Sequence, residues 1–275
     1  MDSTSYRSAL TIAGFDPSAG AGILADIKTL SAHGVYPQAC ITGLTVQSTA
    51  GIKGTKALDP EWVRRTLAEL DDDNNFAVIK IGALFTSGIV REVAAFLRKY
   101  RDIRVVCDPV LASTSGAQLL DSEGIDAIRA EVFPLCNWLT PNWAELGKLA
   151  EMPVGNRREV EHAAAKLRAS FPQINLIVTG GDQSAPDDLL VSPGQRPQWI
   201  AGYRVTTSST HGTGCTFSSA IAARMALYPD DPPAERVAAC KRYVEGAMRH
   251  ATQMGRGAGP LNHFWACDFA GTAER

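Results

Sequence analysis

The chain contains no stretch of about 18 consecutive apolar residues, the length a membrane-spanning helix needs, so no membrane span is expected. It has no basic surplus either. Its 27 Lys and Arg stand against 29 Asp and Glu, a net charge of −2. General nucleic-acid binders carry a clear basic excess, so no nucleic-acid partner is expected. The six cysteines, at 40, 107, 136, 215, 240 and 267, include no Cys-x-x-Cys pair. That argues against a zinc cluster or a dithiol redox centre. Most lie among apolar or small residues and read as buried thiols of a reducing, hence cytoplasmic, compartment. The opening Met1-Asp-Ser-Thr-Ser-Tyr-Arg7 lacks the basic segment and apolar run of a secretory signal. No internal repeat, low-complexity segment or linker interrupts the sequence. What remains is 275 residues, 45% of them apolar. That is enough to close a substantial core, and residues 1–275 are read as one domain.

Apolar runs alternate with helical patterns along the chain. Ala9 to Ala13 reads as a buried strand, followed by a loop from Gly14 to Gly22. The next helix carries Ile23, Ile27 and Leu30 on one face, and Gly34 ends it. Gln38 to Gln47 reads as a strand. Asp59-Pro60 starts a helix, with Asp as N-cap and Pro in the first turn, and Val63, Leu67 and Leu70 form its buried stripe. Phe76 to Ile81, Ile103 to Cys107, Trp138 to Thr140 and Ile174 to Val178 read as further strands. Helices lie between them over 86–99, with Ile89, Val93, Phe96 and Leu97 inward, and from Asn156, with Val160, Ala164 and Leu167 inward. A hairpin is expected within Leu189 to Val205, then helices over 214–227 and 233–253. Strands alternating with helices predict an α/β fold with a mostly parallel sheet covered on both faces. Ligands of such sheets sit beyond the carboxyl ends of the strands.

Several chemistry-bearing segments follow strands. In Thr210-His-Gly-Thr-Gly-Cys-Thr216 the glycines allow a tight turn and close backbone approach. The helix beyond offers unpaired N–H groups and its positive dipole end to an anion. Cys215 at that terminus is expected to have a lowered thiol pKa. The alternative is a glycine-rich turn with a packed cysteine. Gly14-Phe-Asp16-Pro-Ser-Ala-Gly20-Ala-Gly22 is either a ligand loop or a plain connection, and its spacing is not that of a dinucleotide fingerprint. In Thr140-Pro-Asn142-Trp-Ala-Glu145, Asn and Glu share one helix face. They form either an oxygen-ligand pair for Mg²⁺ or a helix cap. Asp108 ends a strand, where it either holds a metal or a hydroxyl or simply closes the strand. Gly180-Gly181 is either a close approach to a nucleotide or a turn. Gln47 presents one donor and one acceptor, the pairing an aminopyrimidine edge needs. His211 is a lone histidine beside the turn.

Together these pieces resemble the ribokinase superfamily. More narrowly, they resemble the bacterial hydroxymethylpyrimidine/phosphomethylpyrimidine kinases of thiamine biosynthesis. The matching stretches are Ala9 to Thr29, Thr45-Val-Gln-Ser-Thr49, Lys80-Ile-Gly-Ala-Leu84, Val106-Cys-Asp-Pro-Val110, Leu139 to Glu145, Thr179-Gly-Gly181, His211 to Thr216 and Gly257 to Phe264. They span nearly the whole chain in the right order. The resemblance implies a three-layer αβα ribokinase-like domain that uses ATP and Mg²⁺. Such a domain phosphorylates 4-amino-5-hydroxymethyl-2-methylpyrimidine and then its monophosphate. Gln47, Gly14, Asp26 and Ala83 are implied on the substrate side. Gly212, Thr213 and Gly214 are implied as the anion hole, with Cys215 as catalytic base. Asp108, Asn142, Thr179, Gly181 and His211 are implied on the nucleotide side, and Glu145 with Asp108 at Mg²⁺. A homodimer is also implied.

The chain departs from the family pattern in places. Ala83 stands where many members carry Met, which enlarges the pocket, and Phe15 is a candidate to fill part of that space. Thr114 lies in a segment, and Thr179 at a position, where many members carry Lys; Asp182 replaces a His. Two cations near the nucleotide are thereby missing. The competing readings are a pyridoxal or pyridoxine kinase, favoured by Ala83, and a non-catalytic pyrimidine-binding regulatory protein, favoured by the missing lysines. A cysteine hydrolase built on Cys215 and His211 lacks an orienting acid.

Overall fold

The computed structural model describes residues 7–100, 102–113, 116–180 and 186–267. A nine-stranded sheet runs through the molecule. Its strands are β1 (Ser8–Phe15), β2 (Tyr36–Ser48), β3 (Gly51–Ala57), β4 (Val78–Ile81), β5 (Arg104–Cys107), β6 (Trp138–Leu139), β7 (Asn175–Val178), β8 (Asp188–Val191) and β9 (Gln198–Ile200). The spatial order is β3-β2-β1-β4-β5-β6-β7-β8-β9. Strands β2 to β7 of that order are parallel, and antiparallel pairings add β3 at one edge and β8 and β9 at the other. The hairpin expected after residue 189 is β8–β9, with Leu189 opposite Trp199.

The helices are α1 (Gly22–Ala32), α2 (Pro60–Asp73), α3 (Ser87–Leu97), α4 (Ser122–Ala127), α5 (Trp143–Ala150), α6 (Arg157–Ser170), α7 (Thr213–Leu227) and α8 (Pro233–Arg249). Strand alternation sorts the core into two layers. Leu10, Ile12, Ile79, Ile81, Val105 and Cys107 face α2 to α6. Ala9, Val78, Val106, Trp138 and Ile177 face α1, α7 and α8. Central strands buried on both faces read as continuous apolar runs, which is why β1, β4 and β5 were visible from the sequence. Asp59 caps α2 as expected, accepting from the Glu61 amide at 2.8 Å.

Three features were not legible. Strand β3, Gly-Ile-Lys-Gly-Thr-Lys-Ala, has no apolar run or clean alternation. It is an edge strand whose one neighbour is β2, so register with that partner rather than burial defines it. The stretch through α4, a π turn at Ile128–Val132 and a 3₁₀ turn at Phe133–Leu135 was also unread. Finally, Ile27 is only half-buried, whereas Asp26 and Thr29 are fully buried in α1. The inward face of that helix is polar at its centre.

Chain direction reverses at β1. From there the chain runs outward through β2 and β3, then returns on the other side as β4. Such a switch point opens a crevice at the carboxyl ends of the strands, here β1 and β4. A shallow depression lined by Asp126, Arg129 and Phe171 lies at the opposite, amino end of the sheet and holds none of the motif residues.

Candidate active site

Helix α7 starts directly above the carboxyl ends of the central strands. Its N-cap is Gly212, in the left-handed region at φ +86°, and no side chain caps it. A Cβ on Gly212 would lie 1.8 Å from the Gly20 carbonyl oxygen, so only glycine fits between the two loops. The first-turn N–H groups have no preceding turn to bond and face the crevice. Small residues let α7 lie close to the sheet: Ser218, Ser219, Ala220, Ala222 and Ala223 are all fully buried.

Behind that turn lies a buried polar cluster. Asp108, at the end of β5, is 5% exposed. Its Oδ2 accepts from Ser218 Oγ at 3.3 Å and its Oδ1 from Thr140 Oγ1 at 3.5 Å. A Cβ on Gly214 would stand 3.9 Å from Asp108 Oδ2, so carboxylate and turn face one another. Burial raises the Asp108 pKa, against the pull of Lys80. Asn142 and Glu145 form a complete capping box on α5. The Asn142 amide donates to Glu145 Oε2, and the Glu145 amide to Asn142 Oδ1, both at 2.9 Å. Burial and the neighbouring Asp108 push the Glu145 carboxyl up to about 8. Two neighbouring buried carboxylates, both raised by burial, make a donor set suited to a hard dication. Thr179 joins this side, its amide bonding the Pro141 carbonyl at 2.9 Å beside Asn142. Gly180 is glycine for a local reason, since a Cβ there would meet Asp187 O at 2.2 Å. Thr114, Gly181 and Asp182 lie outside the described residues.

Three expectations need correction. Asp26 does not face the crevice. It is 0% exposed, and both its oxygens are taken: Oδ1 by Lys80 Nζ at 2.8 Å and Ser219 Oγ at 2.7 Å, Oδ2 by Thr11 Oγ1 at 2.6 Å and Lys80 Nζ at 2.9 Å. It holds the wholly buried Lys80 beneath the start of α7. The Lys80 pKa is raised; burial opposes its charge, but Asp26 foremost, then Cys215 and Asp108, outweigh it. The Cys215 thiol is not lowered. Its surroundings push it up to about 12, with Lys80 the main opposing influence. Desolvation is the largest cause, Asp108 and Asp26 add to it, and Lys80 and a bond from the Gly22 backbone oppose it. Third, His211 does not sit with Asn142 and Thr179. Its Nε2 is 2.7 Å from Asp16 Oδ2 and 3.0 Å from Gln47 Nε2, which puts it on the Gln47 side.

That second cluster organises the loop after β1. Asp16, 3% exposed, also accepts from the Ser18 amide and hydroxyl and from the Ala21 amide. Burial would raise its pKa, but the bonds from His211, Ser18 and Ala21 prevail and bring it down to about 2. Gly20 is pinned beneath His211, whose Cδ2 would sit 2.1 Å from an added Cβ. Gln47 is half-buried, its Oε1 accepting from Thr45 Oγ1 at 3.1 Å. Asp16 and Lys80 both fall in the matching stretches, yet the sequence assigns neither of them a role. The available signal for Lys80 was a charged residue inside the buried run Val78-Ile-Lys-Ile81.

The base of α7 is also tied to the chain's last described segment. His263, 2% exposed, meets Thr216 Oγ1 through Nε2 at 3.1 Å. Burial, with Lys28 nearby, brings its pKa from 6.5 down to about 3. Because the folded value lies below the free one, the neutral ring contributes fully above about pH 6.5, and that contribution is lost as pH falls towards 3. His263→Gln is therefore expected to flatten the stability–pH curve in that window and to move the acid-unfolding midpoint lower, as read by circular dichroism. An unchanged midpoint would exclude this role.

A sequence profile of the phosphomethylpyrimidine kinase family matches residues 16–262. The hydroxymethylpyrimidine/phosphomethylpyrimidine kinase of Streptomyces coelicolor is 35% identical, with 94% of each chain covered. The thiamine biosynthesis bifunctional protein ThiED of Geobacter sulfurreducens is 36% identical over 95% of this chain, which spans only 53% of that longer protein. Among solved structures, the pyridoxal kinase of Staphylococcus aureus in complex with AMP-PCP and pyridoxal superimposes with a TM-score of 0.84 at 26% identity, covering 96% of both chains.

Proposed function

The chain belongs to the phosphomethylpyrimidine kinase family, and from that premise we propose that it transfers the γ-phosphoryl group of ATP to the hydroxymethyl group of 4-amino-5-hydroxymethyl-2-methylpyrimidine, then phosphorylates the monophosphate. The observation that carries this reading is the meeting of three groups at one point. The uncapped turn of α7, the Cys215 thiol on it and the Asp108 carboxylate lie together beyond the carboxyl ends of the central strands.

Phosphoryl transfer passes through a loose transition state, so positioning and charge stabilisation dominate. In this reading Gly212, Thr213 and Gly214 present backbone N–H groups to the transferring group. Gln47 pairs with the aminopyrimidine edge, and His211 and Asp16 hold the loop that covers it. Cys215 takes the acceptor hydroxyl proton. Asp108 and Glu145 would hold Mg²⁺, directly or through water, and Asn142 and Thr179 would line the phosphate side. Mg²⁺ supplies charge neutralisation to the nucleotide phosphates. Lys80 acts from below, as the buried cation facing Cys215 and Asp108. The continuous sheet supports a single domain. All six cysteines are free, which fits a reducing, cytoplasmic compartment. The family resemblance supports a homodimer.

The test is ATP turnover with Mg²⁺ against hydroxymethylpyrimidine, its monophosphate and pyridoxal. Turnover of both pyrimidines is expected. Preference for pyridoxal would move the activity to vitamin B6 salvage. Tight binding without turnover would make the chain a pyrimidine-binding protein.

A further inference from the structure

Phe85 follows Leu84 just after β4 and has a backbone that phenylalanine rarely adopts, φ +64°. A bulky residue at positive φ is an outlier that persists only where its surroundings hold it. Here the backbone is clamped at both ends. The Phe85 amide donates to Leu119 O at 3.0 Å, and its carbonyl accepts from the Asp121 amide at 3.2 Å. The ring is 8% exposed and lies across the ends of two strands. A Cβ on Gly14 would come within 2.9 Å of Phe85 Cε2, and one on Gly43 within 2.7 Å. Gly14 and Gly43 are paired neighbours on β1 and β2. Both glycines therefore leave the space this ring fills. Phe15, the expected filler, is half-buried and engages Thr45 through its carbonyl instead.

The ring lies on the acceptor side of the crevice. Along β2, Leu44 and Val46 are exposed, whereas Gly43, Thr45 and Gln47 are turned inward together. Phe85 thus covers the same strand face that carries Gln47, two pleats deeper. It also borders Ala83, since a Cβ on Gly14 would touch both, at 2.9 Å and 3.8 Å. Ala83 is itself anchored, its carbonyl accepting from Thr42 Oγ1 at 2.6 Å.

We propose that Phe85 is a specificity-determining residue, whose ring closes the inner end of the acceptor cleft and selects the aminopyrimidine over rings of the pyridoxal class. This rests on the kinase reading above. Ala83 opens space beside Gly14, and Phe85 takes it back with a rigid aromatic plane. A pyridine carrying one ring substituent more than the pyrimidine then meets the ring edge. The two backbone hydrogen bonds fix the segment from which that plane projects, so exclusion is steric.

The experiment compares kcat/KM for hydroxymethylpyrimidine and for pyridoxal in wild type, Phe85→Ala and Phe85→Leu. The pyridoxal-to-pyrimidine ratio is expected to rise at least about tenfold in Phe85→Ala, the scale on which a small steric change in an apolar pocket discriminates. A smaller rise in the same direction is expected in Phe85→Leu. If both acceptors fall together with the ratio unchanged, Phe85 is structural and the proposal is overturned. Should Phe85→Ala fail to fold, as read by circular dichroism, Phe85→Leu decides by the same criterion. Wild type that does not phosphorylate hydroxymethylpyrimidine at all would overturn the kinase reading and this proposal with it, whereas wild-type turnover with an unmoved ratio overturns this proposal alone.

Discussion

Cys215→Ala is expected to lower kcat by about 10²–10⁴-fold, the usual contribution of a positioned general base, while acceptor binding persists. The side chain removed is small and projects from the first turn of α7, so the backbone cradle of Gly212 to Gly214 stays in place. The structure adds a second, sharper expectation. Burial pushes this thiol up to about 12, so in the ligand-free protein the thiolate is a minor species near neutrality. Its fraction grows tenfold with each pH unit below that value. The wild-type kcat/KM should therefore climb from pH 7 into the alkaline range, and the climb should vanish in Cys215→Ala. Single-turnover rates across that range, with acceptor binding measured alongside, provide the check. A variant that turns over like wild type, with the same pH profile, would remove Cys215 from the chemistry.

Lys80→Met is expected to produce the largest loss of stability, about 3–5 kcal/mol, because it leaves a buried carboxylate without its cation. Both partners of this pair have fully buried side chains. Thr11 and Ser219 would still donate to Asp26, but hydroxyls cannot neutralise it. Asp26→Asn in the Lys80→Met background removes the stranded charge and should restore part of the stability in denaturant titrations. Activity should recover less than stability, because Lys80 is also the cation that opposes the upward shift of Cys215. Equal recovery of both would reduce the pair to a structural role. A loss under about 1 kcal/mol in Lys80→Met, the range of an exposed pair, would contradict the burial argument.

Legibility differed sharply between the two halves of the site. Backbone-based features could be read directly. The glycine turn before α7 and the Asn142–Glu145 cap are short-range patterns in which sequence neighbours interact, so spacing alone carries them. Features made by distant residues could not be read. Asp26 matched a family position and was placed with the substrate, yet 54 residues separate it from the lysine that occupies it. His211 adjoins the glycine turn in sequence, but its ring reaches back 195 residues to Asp16. Proximity along the chain says nothing about which way a side chain is pulled.

The sequence by itself determined the layering and the direction of the sheet. Apolar runs flanked by amphipathic helices leave little choice but parallel strands covered on both faces. It likewise determined where the glycine turns fall at the strand ends, since such turns are local. Only the tertiary structure decided the electrostatics and the shape of the cleft. The Cys215 thiol rises because desolvation and two carboxylates from distant parts of the chain outweigh Lys80 and one backbone bond. The space over Gly14 and Gly43, on two different strands, is filled by the Phe85 ring. Both outcomes are sums over neighbours that meet only when the chain is folded.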